Sequence, residues 1–316
     1  MKKIVVLGGG TGLSVLLRGL KQFPLDITAI VSVADDGSSS GKLREEFDIF
    51  AVGDIRNVLV SLSEVEPLIE ELLQYRFTTD SNLNNHPVGN LLLAALYNIT
   101  GNLTESLTSL SKIFNIKGRI LPFTEDNPVL LAHTKDGNTI EGESKITKAG
   151  KEIDYIEYKN KVSPTKEVLT ALEEADLIIL GIGSLYTSII PNLLSKEVTE
   201  LLKKSKAKKM YVCNIMSEHG ETDNYKVSDC IKKINSYVET DFIDTVLVNS
   251  EEIPNNIKER YKEEKSYPIE IDYDKLKELN IEVLEDKLLE IDTDKVRHNP
   301  YRTALAIFNY IVKELE

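Results

Sequence analysis

The chain has 316 residues, 41% of them hydrophobic, and a formal charge of −13 at neutral pH. That length and apolar content support a large buried core, in one big α/β unit with an appendage or in two domains. The acidic balance argues against a nucleic-acid partner, because such binders need a basic field to displace counterions from phosphates.

Residues 4–7 are an apolar run that reads as a buried strand, and it turns through Gly8-Gly9-Gly10-Thr11-Gly12 into a helix striped by Leu13, Leu16, Leu17 and Leu20. Glycine permits positive φ and close approach of a ligand to the main chain, and a helix start offers unpaired N–H groups, so phosphate is the natural guest. Leu13 stands where the dinucleotide fingerprint needs its third glycine, although Gly8 and Gly10 fit the first part. A tight turn without a ligand is the alternative. No apolar stretch reaches membrane-spanning length and the first strand begins at Lys2-Lys3, so neither membrane insertion nor a signal peptide is expected; the expected location is the cytoplasm.

A second apolar run, 27–33, leads into the small-residue loop Ala34-Asp35-Asp36-Gly37-Ser38-Ser39-Ser40-Gly41, followed by Lys42 and Arg44. Asp35 or Asp36 at a strand's carboxyl end suits ribose hydroxyls, or Mg²⁺ held against a diphosphate; the plain alternative is an Asp-Gly turn with a capping serine. Asp54 reads as the cap of a helix whose stripe is Ile55, Val58, Leu59 and Leu62. On it, Arg56 offers a fork to a phosphate or to an acidic neighbour. His86 and Asn90 precede Leu91, Leu92, Ala95 and Leu96, which read as a more buried helix.

Between about 117 and 162 the pattern changes to short extended pieces around Asp136-Gly137-Asn138, a β-rich insertion within a single domain spanning 1–316. Ser163-Pro164 restarts a helix. The strand 177–180 runs into Gly181-Ile182-Gly183-Ser184-Leu185-Tyr186-Thr187-Ser188, a second glycine turn into a capped helix and a second anion cradle. After the strand 210–212, the loop Ser217-Glu218-His219-Gly220-Glu221-Thr222-Asp223 offers carboxylates, an imidazole and a hydroxyl, but it holds no zinc pattern or serine-nucleophile elbow. Cys213 and Cys230 lack metal-site spacing and read as reduced thiols. One more strand falls at 245–248, the charged stretch 249–294 stays unplaced, with 258–265 read as solvated surface, and 302–316 reads as a terminal helix. Alternating strands and helices predict an α/β fold: a three-layer α/β/α, Rossmann-like, doubly wound parallel sheet whose motifs gather at the strands' carboxyl ends.

Gly8-Gly9-Gly10-Thr11-Gly12, Ala34-Asp35-Asp36-Gly37, Gly53-Asp54-Ile55-Arg56-Asn57, Gly89-Asn90-Leu91-Leu92, Gly183-Ser184-Leu185-Tyr186-Thr187-Ser188 and Gly220-Glu221-Thr222-Asp223, in this order, resemble the YvcK/CofD-like family over nearly the whole chain. The likeness is nearer to the YvcK branch, the gluconeogenesis factors of bacteria. That branch implies a cytoplasmic protein needed for cell shape during gluconeogenic growth, with UDP-sugars such as UDP-N-acetylglucosamine as ligands; the reading adopted is a nucleotide-sugar binder that reports ligand level to cell-wall or carbon-metabolism proteins. The CofD branch implies Mg²⁺-dependent transfer of a phospholactyl group from a guanosine diphosphate conjugate. A nicotinamide dinucleotide binder is the third option, and homodimerisation is left open. The chain departs from the family pattern at Ser38, Ile182, Ser217-Glu218-His219 and Arg297-His298-Asn299-Pro300.

The expected binding set is Gly9, Gly10, Thr11 and Gly12 at phosphate, Asp35 and Asp36 at ribose or Mg²⁺, and Gly183, Ser184 and Thr187 at the second cradle. Ser39, Lys42, Arg56, Asn90, Glu221 and Thr222 complete it, with Arg56 and Asn90 resting on the resemblance. No catalytic residue is expected, because no nucleophile with an evident activating base is visible.

Overall fold

The computed structural model describes residues 1–47, 49–64 and 67–315. The first apolar run forms β1 (Lys3–Gly8), which passes through the glycine turn into α1 (Gly10–Leu20), and β2 (Asp26–Val31) follows. Leu13, Leu16, Leu17 and Leu20 are fully buried, the single face that a 3.6-residue period dictates. The small-residue segment is helical sooner than its composition suggests: α2 spans Ser38–Phe47, then α3 Gly53–Leu62, α4 Pro67–Gln74, α5 Val88–Thr100 and α6 Leu103–Ile113.

Two details of these helices differ from expectation. The cap of α3 is Val52, so Asp54 sits inside the first turn with its carboxylate free to reach elsewhere. On α5 the buried positions are Gly89, Asn90, Leu93 and Ala94, whereas Leu92 is exposed, because only one side of that helix meets the core.

Next come β3 (Arg119–Pro122), β4 (Leu130–Thr134), β5 (Thr139–Glu141), α7 (Glu143–Ala149) and β6 (Ile153–Tyr158). β5, β4 and β6 make a small antiparallel sheet closed by a hairpin with Gly137 at φ +85°. β3 lies inside the stretch expected to be insertion, yet it pairs in parallel with β2 as the edge of the main sheet. The helix expected at Ser163-Pro164 begins later, as α8 (Lys166–Glu173), capped by Thr165. The chain continues through β7 (Leu177–Leu180), α9 (Lys196–Lys204), β8 (Lys208–Val212), α10 (Val227–Val238) and β9 (Thr245–Asn249). The unplaced stretch resolves into α11 (Asn255–Glu263), α12 (Tyr273–Glu278), β10 (Glu282–Asp286) and β11 (Leu289–Asp292), followed by β12 (Lys295–His298) and α13 (Pro300–Leu315).

The main sheet has seven strands in the order β10-β9-β8-β7-β1-β2-β3, all parallel. Helices cover both faces over two large apolar clusters, one around α1, α3 and α13 and the other around α8, α9 and α10. This is the expected three-layer doubly wound fold. Strand order reverses direction between β1 and β7, and open parallel sheets form their ligand crevice at such a switch point.

Candidate functional site

Both glycine turns leave the carboxyl ends of adjacent strands, β1 and β7, and together they wall a cleft of about 480 Å³. Gly9, Gly10, Thr11 and Gly12 line one side, and Gly183, Ser184 and Ser188 the other. Gly10 has φ +68°, a conformation that side chains rarely adopt. Gly12 has a different reason for lacking a side chain: a Cβ there would lie 2.4 Å from the Ile182 carbonyl oxygen. It gives α1 the close packing on the neighbouring strand turn that the third fingerprint glycine gives a dinucleotide fold.

The second turn is not a helix start of the expected kind. Residues Leu185–Ile189 form one π turn followed by a 3₁₀ turn, and the protein's own groups fill the cradle. Ser184 Oγ accepts from the Thr187 N–H at 3.1 Å and donates to the Glu221 carboxylate, which also accepts from the Tyr186 N–H at 3.0 Å. Asn214, just past β8, clasps Gly183 from both sides, donating to its carbonyl at 2.8 Å and accepting from its N–H at 3.3 Å. Thr187 is buried and bonded to Ser184, and Thr222 Oγ1 accepts from the Glu218 N–H at 2.8 Å. Neither threonine lines the cleft.

A buried acid also backs the first turn. The Asp54 carboxylate accepts from the Gly10 N–H, and burial, then the charge of Asp35, pushes its pKa up to about 7. Burial likewise pushes Glu143, on α7, up to about 7, with Asp35, Asp54 and Asp36 adding to it. Glu218 is pushed up to about 8 by burial and then by Glu221, and burial raises Glu221 as well.

The remaining expected residues gather elsewhere. Asp35 Oδ1 accepts from the Gly37 N–H at 2.9 Å and Asp36 Oδ1 from the Ser144 N–H at 2.8 Å, so Asp36 ties the loop after β2 to the start of α7. Among the described residues no group of three or more histidines, cysteines or carboxylates is placed to hold a metal ion. Ser39 contacts His86 Nδ1 at 2.9 Å and accepts from Asn90 Nδ2 at 3.1 Å, while Asn90 Oδ1 accepts from Arg56 at 3.3 Å. This buried cluster lies between α2, α3 and α5, away from the cleft lining; Lys42 is exposed on α2 and does not line the cleft either. Arg56 is 7% exposed with its Nε unpartnered, and burial pushes its pKa down to about 10.

The cleft's far wall was hidden from sequence reasoning. Tyr261 on α11 reaches it from the segment that reads as solvated charge, and Arg297 and His298 on β12 reach it from just past the unplaced stretch. The Tyr261 hydroxyl accepts from the Val296 N–H at 2.8 Å, which fixes the ring against β12. Arg297 is the cleft-lining side chain with a permanent positive charge. His298 is held neutral, its pKa pushed down to about 4 by burial, with Nε2 3.1 Å from the Cys213 carbonyl. The available signal was Arg297-His298-Asn299-Pro300 itself, a motif departure whose position in space the sequence did not indicate.

A seven-stranded parallel sheet with its cleft walled by glycine turns at the switch point defines a Rossmann-like α/β protein. More narrowly, the chain belongs to the family described as 2-phospho-L-lactate transferase CofD, whose profile matches residues 4–289. Within it, the chain is 48% identical to the gluconeogenesis factor of Bacillus subtilis, over 96% of each chain. It is 47% identical to that of Halalkalibacterium halodurans, over 97% of this chain and 95% of the relative. A crystal structure of a Bacillus halodurans protein superposes with a TM-score of 0.94 at 46% identity, covering 97% of this chain and 99% of that one.

Proposed function

We propose that the cleft binds a nucleotide-sugar diphosphate of the UDP-N-acetylglucosamine type and that the protein is a regulatory binder rather than an enzyme. The observation that carries this reading is the meeting of two glycine turns with Arg297 in one cleft at the switch point. The diphosphate lies along Gly10 to Gly12 with Arg297 as its cation, because local donors must overcome the field of an acidic chain. In this reading the protein reports ligand level to cell-wall or carbon-metabolism partners in the cytoplasm and sustains cell shape on gluconeogenic carbon. Mg²⁺ accompanies the diphosphate in this reading, and the protein acts as a homodimer.

Calorimetry with UDP-N-acetylglucosamine, guanosine diphosphate and NAD, with and without Mg²⁺, tests the reading. The UDP-sugar is expected to bind more tightly than NAD; heat from NAD with none from the UDP-sugar overturns it. The second reading, a CofD-type phosphoryl-group transferase, is favoured by the family's own description. Prolonged incubation with UDP-sugar and Mg²⁺ is expected to leave the ligand intact, and turnover seen by mass spectrometry puts the transferase first.

A further inference from the structure

Glu218 and Glu221 share the loop after β8 and both line the cleft. Their hydrogen bonding is unequal. Glu221 accepts from Ser184 Oγ and from the Tyr186 N–H, whereas Glu218 receives a long bond, 3.4 Å, from Asn214 Nδ2, lies within reach of the Ser184 hydroxyl that already donates to Glu221, and is partly exposed to the cleft. Among the described residues neither acid enters an ion pair. Two neighbouring carboxylates taken out of water do not both ionise cheaply, and donors favour the charged form of whichever acid they serve. The two donors on Glu221 therefore favour its charged form over that of Glu218.

We propose that Glu218 is a specificity residue of this cleft, a neutral carboxylic acid whose O–H donates a hydrogen bond to an anionic oxygen of the ligand. The inference rests on the cleft being an anion site. An ionised Glu218 would instead oppose the same oxygen. The pair's other neighbours are Glu143 of α7, His219 with its partners Asp223 and Lys265, Glu264 beyond α11, and Arg297 with His298 of β12. Glu143 adds negative charge and so supports the protonated form, as the upward push on Glu218 to about 8 requires. Arg297 lines the same cleft, and in the proposed arrangement its charge faces the ligand's anionic oxygens.

The test titrates wild type, Glu218→Gln and Glu218→Ala by calorimetry between about pH 6.5 and about pH 9, with UDP-N-acetylglucosamine and inorganic pyrophosphate as probes. Thermal unfolding confirms that each variant is folded. Wild-type affinity is expected to fall by about tenfold per pH unit above about pH 8. Glu218→Gln keeps an N–H donor and cannot ionise, so it should match wild type at the acid end and lose that slope, whereas Glu218→Ala should bind weakly throughout. A wild-type slope retained in Glu218→Gln overturns the proposal, as does a flat wild-type profile. If pyrophosphate shows the slope and the UDP-sugar does not bind, Glu218 keeps its role and the nucleotide-sugar reading falls. If neither probe binds at any pH, both fall.

Discussion

The two glycine turns look alike in sequence and differ in what they offer. The first opens an eleven-residue α-helix whose cap, Gly9, has no side chain to spend on the helix's N–H groups. The second opens a five-residue π turn whose cap is Ser184 and whose Tyr186 N–H is taken by Glu221. One leaves its helix start without a side-chain cap, with Asp54 on the Gly10 N–H; the other is already satisfied from within. A glycine-rich turn after a strand thus marks close backbone approach, and the approaching group can be a ligand, a carboxylate of the same chain or a neighbouring turn.

The comparison breaks most severely at Gly12, where the two turns touch. Gly12→Val drives a branched side chain onto the Ile182 carbonyl, 2.4 Å from where its Cβ would stand, and backbone on both sides leaves little room to yield. The expected cost is about 3 kcal/mol or more of unfolding free energy, read by denaturant titration, since overpacking a rigid site runs at the upper end of its usual range. A variant as stable as wild type would mean that the turns separate easily.

Arg297→Ala sharpens the contrast from the ligand's side. If the first turn receives a diphosphate, removing the cation opposite it should weaken UDP-sugar binding by about 2–3 kcal/mol, the value of a charged hydrogen bond. Stability should hardly change, because Arg297 is exposed on its strand. Unchanged affinity would move the diphosphate away from this wall of the cleft.

The acids behind the turns give a pH signature. Asp54 and Glu143 at about 7 and Glu218 at about 8 hold protons in the folded state that the unfolded chain has released. Native protons then exceed unfolded protons, so stability falls as pH rises through that window. His298, pushed down to about 4, acts in the opposite direction, adding stability as pH rises from about 4 to its ordinary 6.5. Melting temperature measured across pH should therefore be highest on the acid side, at about pH 4–5, fall by several degrees up to about pH 8, and level off beyond it. Glu218→Gln should flatten the alkaline side. A melting temperature constant from neutral to alkaline pH would show these acids to be ionised in the native state.

The strands at the centre of the sheet were legible because a strand buried on both faces must be continuously apolar, as β1, β2, β7 and β9 are. The edges were not. β10 carries Glu282, Glu285 and Asp286, affordable only at a solvent-facing border, and β3 hides inside a stretch that otherwise reads as hairpins. The site divides in the same way. Glycines at strand ends could be placed from local pattern, whereas Tyr261 and Arg297 reach the cleft only because the segment after β9 folds back across it. Arg56 and Asn90, expected from the resemblance rather than from local pattern, bond to each other in the core.

The smallest expected effect concerns the acidic pair after β2. Asp36 accepts the Ser144 N–H at 2.8 Å at the start of α7, and the chain passes so near its other oxygen that a Cβ on Gly142 would lie 2.4 Å away. That is a helix-start contact, bridging the main sheet to the antiparallel one, and its charge suits the positive end of α7. Asp36→Ala should therefore cost about 1 kcal/mol of stability. Asp36→Asn, which keeps an acceptor oxygen and loses the charge, should cost about half as much. UDP-sugar affinity should stay within about twofold of wild type in both variants, with Mg²⁺ or with chelator, because the carboxylate is committed to the fold. A loss of affinity in Asp36→Asn that appears only with Mg²⁺ would instead return this acid to the site as a metal ligand, and would require α7 to release it when the ligand enters.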